Sequence, residues 1–156
     1  MRRADREITD SKKIQMIIED CYCCRLGFYD DGEIYIVPLN FGYENKEGVY
    51  TFYFHGAKEG RKAELVKRNA HVGFEMDTQY CLQENETACG HSAHYQSIIG
   101  NGKVTWVEDI GEKKKALQVI MKHNTGKGDW EFPDQMVERT GVIRLEVAKI
   151  SCKEHR

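Results

Sequence analysis

Tyr50-Thr51-Phe52-Tyr53-Phe54-His55-Gly56-Ala57-Lys58-Glu59-Gly60-Arg61-Lys62 changes its structural period within one short stretch, and that change decides the fold. Side chains of an extended segment alternate between two faces, so Tyr50, Phe52 and Phe54 fall on one side and Thr51, Tyr53 and His55 on the other. Gly56 ends the strand. After Gly60, Ala63, Val66 and Ala70 recur at helical spacing, which puts Arg61 and Lys62 in the first turn of a helix of about 60–69. The first N–H groups of a helix have no partner within it, the macrodipole favours an anion there, and two cationic side chains add fixed positive charge. The segment therefore suits a phosphate cradle. It suits equally an ordinary strand-to-helix connection whose Arg and Lys are solvated, and the local pattern leaves both readings open.

Working outward, the elements alternate. Thr9-Asp10-Ser11 caps a first helix with Ile14, Ile17, Ile18 and Cys21 on one face. Strand patterns follow at 25–29 and 33–43 around the turn Asp30-Asp31-Gly32, and a second turn over 44–48 leads into the aromatic strand 49–55. Beyond the helix come a short strand at 72–76 and a long one at 95–107, in which Gly100 and Gly102 predict a bulge or a barrel bend. A helix over about 109–123, a loop at 124–139 and a strand at 140–150 complete the order α-β-β-β-α-β-β-α-β. About six strands joined mostly by turns favour a small antiparallel barrel with flanking helices over a doubly wound sheet.

With 156 residues, 40% of them apolar and 31% charged, the composition suits one compact domain over 1–156. A formal charge of −2 gives no nucleic-acid footprint. The charged start is unlike a signal peptide, and no apolar run approaches the ~18 residues of a membrane helix. The expected setting is the cytoplasm, where Cys21, Cys23, Cys24, Cys81, Cys89 and Cys152 are read as thiols. Cys81, Cys89, His91 and His94 are chemically able to bind zinc or iron, but their spacing matches no closed structural-zinc pattern, so no metal is expected. Glu112-Lys113-Lys114-Lys115 reads as the solvated face of a helix, and Trp106 and Trp130 as packing residues.

Pro38 lies inside an otherwise strand-like run, Ile34 to Phe41. Proline cannot donate a ladder hydrogen bond, so it marks an edge or an irregular site. Backbone groups there are available to a flat heteroaromatic ring with its own donors and acceptors, walled by Val37, Leu39 and Phe41. An edge strand protected from aggregation by its proline reads the same way.

Three motifs in register carry a resemblance: Ile36-Val37-Pro38-Leu39-Asn40-Phe41-Gly42-Tyr43, Phe54-His55-Gly56-Ala57-Lys58-Glu59-Gly60-Arg61-Lys62, and Tyr95-Gln96-Ser97-Ile98-Ile99-Gly100-Asn101-Gly102-Lys103-Val104. Together with the basic start Met1-Arg2-Arg3 and the closing strand, they resemble the nitroimidazole-resistance (Nim) proteins of the pyridoxamine 5′-phosphate oxidase-like, FMN-binding split-barrel superfamily. The resemblance implies a six-stranded antiparallel split β-barrel and a homodimer with flavin in two clefts at the dimer interface. It places Val37, Pro38, Leu39 and Asn40 along the isoalloxazine ring, His55 and Gly56 beside the ribityl chain, and Arg61 and Lys62 on the phosphate. Ser97, with Gln96 beside it, falls where the family places a polar flavin contact. The oxidases proper carry a longer C-terminal part that helps to hold pyridoxal phosphate, so pyridoxamine phosphate is not the expected substrate.

The resemblance implies FMN in preference to FAD or haem, and reduction of a small nitro-aromatic or other electrophilic compound. The cofactor carries such chemistry, and the protein orients and tunes it. His55 is a candidate proton donor, since a histidine titrates near neutral pH, and it suits a structural place at the strand end equally well. With no separate dinucleotide fingerprint, a reduced nicotinamide, NAD(P)H, would dock transiently over the flavin. The alternative is a non-enzymatic flavin- or haem-binding module.

Overall fold

The computed structural model describes residues 4–68 and 70–156; Met1-Arg2-Arg3 and Asn69 lie outside the described residues. Twelve elements follow in order: β1 (Glu7–Ile8), α1 (Ser11–Asp20), β2 (Cys24–Asp30), β3 (Glu33–Leu39), β4 (Phe41–Lys46), β5 (Val49–Ala57), α2 (Arg61–Arg68), β6 (His71–Gln83), β7 (Ser92–Val107), α3 (Ile110–Thr125), α4 (Asp134–Arg139) and β8 (Thr140–His155). All strands pair antiparallel in one sheet of order β3-β2-β6-β7-β8-β5-β4, with β1 on β8. The two ends of that path, β3 and β4, are consecutive in the chain, so the sheet curls until its edges meet at Asn40 without pairing there. This is the mainly β, split-barrel architecture read from the sequence.

The strand expected over 33–43 divides at Asn40 because its two halves have different partners. Pro38 lies opposite Arg25 of β2, whereas Phe41 lies opposite Phe54 of β5. Asn40 Nδ2 donates to the Tyr22 carbonyl at 3.0 Å, and Phe41 turns fully into the core. That division and the short β1 raise the expected six strands to eight. The 72–76 strand extends to Gln83 through an irregularity between Thr78 and Cys81, where Gln79 takes φ +57. Within the expected loop 124–139, Asp134–Arg139 forms α4, anchored by buried Val137.

The core sits inside the curl: Leu26, Phe28, Phe41, Phe52, Phe54, Ile98 and Leu145 are fully buried there, and Ile17 and Ile18 of α1 close one end. Burying each such side chain is worth about 1.5–3 kcal/mol. Asp10 caps α1 by accepting from Lys13 N–H at 2.7 Å. Outside the curl, Tyr53, Val107 and Val142 pack against Ala116 and Ile120 of α3. The helix lies so close that a Cβ at Gly42 would stand 2.5 Å from the Ile120 backbone. The predicted bulge falls between Asn101 and Gly102, where β7 shifts register against β8.

One surface reading is corrected. Lys113 is only 3% exposed, and its Nζ donates to the Thr140 carbonyl at 2.9 Å, so it joins α3 to the start of β8. No helix among the described residues is long and apolar enough to cross a membrane. The six cysteines are free, and burial pushes the Cys21 thiol up to about 12 and Cys152 to about 11.

Candidate functional site

The end of β5 and the start of α2 form a compact basic turn. His55 and Gly56 lie opposite Val142 and Gly141 of β8, and the chain then turns through Gly60, whose φ of +101 suits glycine alone. Lys62 reaches back over Gly56. A Cβ at Gly56 would collide with Lys62 Nζ and stand 3.2 Å from its Cε, so the glycine makes room for the ammonium. Among the described residues no carboxylate pairs with Lys62, and partial burial lowers its pKa. The pKa of His55 is lowered as well, first by desolvation and then by the charge of Lys62.

Arg61 points elsewhere. Its Nε donates to Asp30 Oδ2 at 2.9 Å, a terminal nitrogen stands 3.3 Å from Glu33 Oε2, and the guanidinium lies 4.6 Å from the centre of the Tyr35 ring. Arg68 adds contacts to Asp30 and Asp31. The two cations expected on one phosphate are thus divided: Lys62 faces the strand end with no counter-charge, and Arg61 ties α2 to the β2–β3 turn. Sequence reading missed this division, because Asp30-Asp31-Gly32-Glu33 reads locally as a turn and gives no sign of its long-range partners.

β3 pairs with β2 on one side only, so backbone groups on its other edge lack a strand partner. Tyr35, Val37 and Leu39 turn partly into the core, while Ile34, Ile36 and Pro38 face outward. The register then sorts the remaining expected residues. Pro38, Arg25, Glu75 and Ile99 form one row across the outer face, and Ser97 lies on that face opposite Asp77. Gln96 lies on the opposite face of β7, buried, donating to Glu154 Oε2 at 2.6 Å. Adjacent strand residues point to opposite sides, so Gln96 and Ser97 do not share one ligand surface within a protomer.

The same outer face is strongly apolar. Ile34, Ile36 and Ile99 are 67%, 62% and 56% exposed around the paired glycines Gly27 and Gly73, beside a depression of about 370 Å³. Arg25 bonds Glu75 and Asp77 at 2.9 and 2.7 Å along its rim. Among the described residues no three His, Cys, Asp or Glu side chains come together as a metal-ligand set.

These residues fit a flavin phosphate. A half-buried ammonium without a counter-ion among the described residues, a glycine that clears its path and the first N–H groups of an eight-residue helix all belong to the one turn from His55 to α2. The unpaired edge of β3 adds backbone donors and acceptors for a flat ring.

A curled, unclosed antiparallel sheet with a basic strand-to-helix turn defines the split-barrel class. The chain belongs to the pyridoxamine 5′-phosphate oxidase family, whose sequence profile matches residues 10–154. It is similar to a protein provisionally assigned as a 5-nitroimidazole antibiotic resistance protein, from Bacteroides thetaiotaomicron. The two are 34% identical over 95% of this chain and 86% of the other, with a TM-score of 0.81. This bears out the resemblance to the Nim group. The fold is also shared with the flavocytochrome Anf3 from Azotobacter vinelandii, at 18% identity, 100% and 72% coverage and a TM-score of 0.81. The FAD- and heme-binding protein from Mycobacterium smegmatis shares it at 12% identity, 97% and 74% coverage and a TM-score of 0.82. Among curated proteins none matches.

Proposed function

We propose that the protein is an FMN-dependent reductase of small nitro-aromatic or other electrophilic compounds. It works in the cytoplasm as a homodimer with flavin at the interface and draws electrons from a nicotinamide donor. The observation that carries this reading is Lys62, a partly buried ammonium without a counter-ion at the start of α2. The 34% identity to the 5-nitroimidazole resistance protein supports the nitro-aromatic class. The exposed Ile34, Ile36 and Ile99 support a second copy covering the outer face, since an exposed patch of this kind marks an interaction site.

The flavin, when bound, supplies hydride and single-electron transfer. Lys62 and the N–H groups of α2 hold its phosphate, and Gly56 keeps the strand end clear. Val37, Pro38, Leu39 and Asn40 offer the free backbone edge of β3 to the ring. Ser97 offers a hydroxyl from the outer face. Arg61 fixes the distance between α2 and β3 through Asp30, Glu33 and Tyr35. Desolvation and then the charge of Lys62 lower the His55 pKa and favour its neutral ring, and offsetting that charge would favour the protonated ring that can donate.

The purified protein should absorb near ~450 nm, where flavin absorbs and haem gives instead a Soret band. The double change Arg61→Ala and Lys62→Ala should weaken FMN by at least about tenfold and riboflavin far less, because charge-assisted contacts are worth on the order of 1.5–3 kcal/mol each. Equal losses for both ligands would sink the phosphate assignment. Anaerobic bleaching of the flavin band by NADH or NADPH, followed by reoxidation with a 5-nitroimidazole, tests the reductase. A band that no nicotinamide bleaches would favour a binding module without turnover.

A further inference from the structure

A second cavity, of about 540 Å³, lies between α1 and the ends of β6, β7 and β8, on the face of β7 opposite Ser97. Met16 and Ile17 of α1 line it on one side. Across from them the rings of His94 and His155 form an imidazole wall, their centres 6.2 Å apart. The floor is a completed ion pair: Lys13 Nζ meets Glu154 Oε1 at 2.7 Å, while Gln96 Nε2 and Arg156 Nε reach Oε2 at 2.6 and 3.1 Å.

Gln96, His155 and His94 each leave one hydrogen-bonding atom over, and the contacts fix their roles. A carboxylate only accepts, so the nitrogen of the Gln96 amide is the atom on Glu154, and its Oε1 remains an acceptor with no partner among the described residues. Gln96 is only 9% exposed and lines the cavity. His155 Nδ1 lies 2.8 Å from the Ala93 carbonyl, which also only accepts, so Nδ1 carries the proton and Nε2 keeps a lone pair. His94 Nδ1 accepts from the Gln83 amide at 3.3 Å, which leaves Nε2–H as a donor in the neutral ring. These three residues offer two acceptors and one donor beside an aromatic surface, and the charged groups of the lining, Lys13 and Arg156 with Glu154 and Asp20, balance in number.

We propose that this cavity is a second ligand site, separate from the basic turn at α2, for a neutral planar amino-heteroaromatic such as a purine or pyrimidine base. Such a ring stacks on imidazole, its amino N–H groups satisfy the glutamine and histidine acceptors, and its ring nitrogen accepts from a histidine. An anion or a cation is disfavoured, because the two cations of the lining, Lys13 and Arg156, are matched by its two carboxylates, Glu154 and Asp20.

The probe is adenine, titrated calorimetrically into the purified protein, with unsubstituted purine as the control that lacks the amino donors. Adenine should bind at least about tenfold more tightly than purine, since an acceptor built for an N–H is left unpaired by the analogue. Gln96→Leu should weaken adenine by a similar factor. Met16→Trp, on an exposed position of α1, should fill the cavity and abolish adenine binding while the flavin spectrum stays unchanged. Because Met16 is 63% exposed, that variant tests the site even if Gln96→Leu fails to fold. No heat with millimolar adenine, equal affinity for adenine and purine, indifference to Met16→Trp, or displacement of adenine by FMN would each overturn the proposal. The adenine affinity, the purine control and the loss in Met16→Trp are read whether or not the turn at α2 binds a flavin.

Discussion

The basic turn at α2 and the cavity beneath α1 each contain a lysine, and they treat it oppositely. Lys13 is neutralised within the fold by Glu154, at 2.7 Å. Among the described residues Lys62 has no carboxylate partner, and burial lowers its pKa. The first region balances its charges, Lys13 and Arg156 against Glu154 and Asp20, and leaves neutral hydrogen-bonding atoms over; in the second, Lys62 has no negative partner among the described residues. A buried or half-buried cation without a counter-ion costs stability unless something supplies one. The contrast therefore sorts ligands by charge, an anion at α2 and a neutral ring at α1.

The largest effect expected from breaking this contrast lies at His55. His55→Ala should keep the FMN spectrum while slowing reduction of a 5-nitroimidazole by about 10²–10⁴-fold, the usual worth of general acid catalysis. Stopped-flow reoxidation of pre-reduced protein measures it directly. Full turnover with FMN retained would leave the chemistry to the flavin, and lost FMN would make His55 a ribityl contact.

Next in size is the division between the two neighbouring cations. Lys62→Ala should raise the FMN dissociation constant by at least about tenfold, as one charge-assisted contact requires. Arg61→Ala should do less, because Arg61 would have to leave Asp30 and Glu33 to reach a phosphate. Fluorescence quenching of FMN, with riboflavin as control, gives both constants. A larger loss for Arg61 would mean that the phosphate displaces those carboxylates, contrary to the division drawn from the free protein.

How much of this was legible in the sequence follows from how local each feature is. The turn at α2 is contiguous from His55 to Lys62, and the change of period at Gly56 and Gly60 revealed the strand, the turn and the helix start. The glycine pair at 100 and 102 announced its bulge for the same reason. The break at Asn40 was hidden, because nothing within 33–43 records that Phe41 pairs with Phe54 instead of continuing along β2. Arg61 was read as solvated or phosphate-bound because its carboxylates lie about thirty residues away in the chain. Lys113 looked like its neighbours in a charge run, and only its bond to Thr140 distinguishes it. The cavity draws on α1, β6, β7 and β8 at once, so its residues appeared as scattered thiols, imidazoles and a flavin-contact glutamine.

Acid should separate the two regions more gently. Burial alone would raise the Glu154 carboxyl, but hydrogen bonds from Lys13 and Gln96 outweigh it and hold its pKa below the ordinary carboxylate range. A carboxylate with a lowered folded pKa stabilises above its unfolded value of about 4.3, and the contribution disappears as pH falls through the folded value. Hydrogen exchange should therefore show α1 losing protection below about pH 4, by on the order of 1 kcal/mol or less. Glu154→Gln should remove that acid step from α1 while leaving in place the one in α2, which rests on the lowered carboxyl of Asp30 beside Arg61. An acid step in α1 that survives Glu154→Gln would mean that the Lys13–Glu154 pair does not anchor α1.

The smallest effect expected is a change in the titration of His55. Its pKa is lowered by desolvation first and by Lys62 second, so in the free protein the fold favours the neutral ring. The unfolded chain then binds more protons across the interval between the lowered and ordinary values. Stability from this group accordingly rises with pH through that interval and falls as the ring is protonated below it. A phosphate dianion beside Lys62 offsets the second cause and leaves the first, so FMN should raise the His55 pKa relative to its value with riboflavin bound. Riboflavin brings the same ring without the charge and isolates the desolvation contribution. NMR titration of the imidazole protons, with Lys62→Met as a control in which the two flavins should behave alike, measures the difference. An equal His55 pKa with FMN and riboflavin in the unmodified protein would place the phosphate away from Lys62.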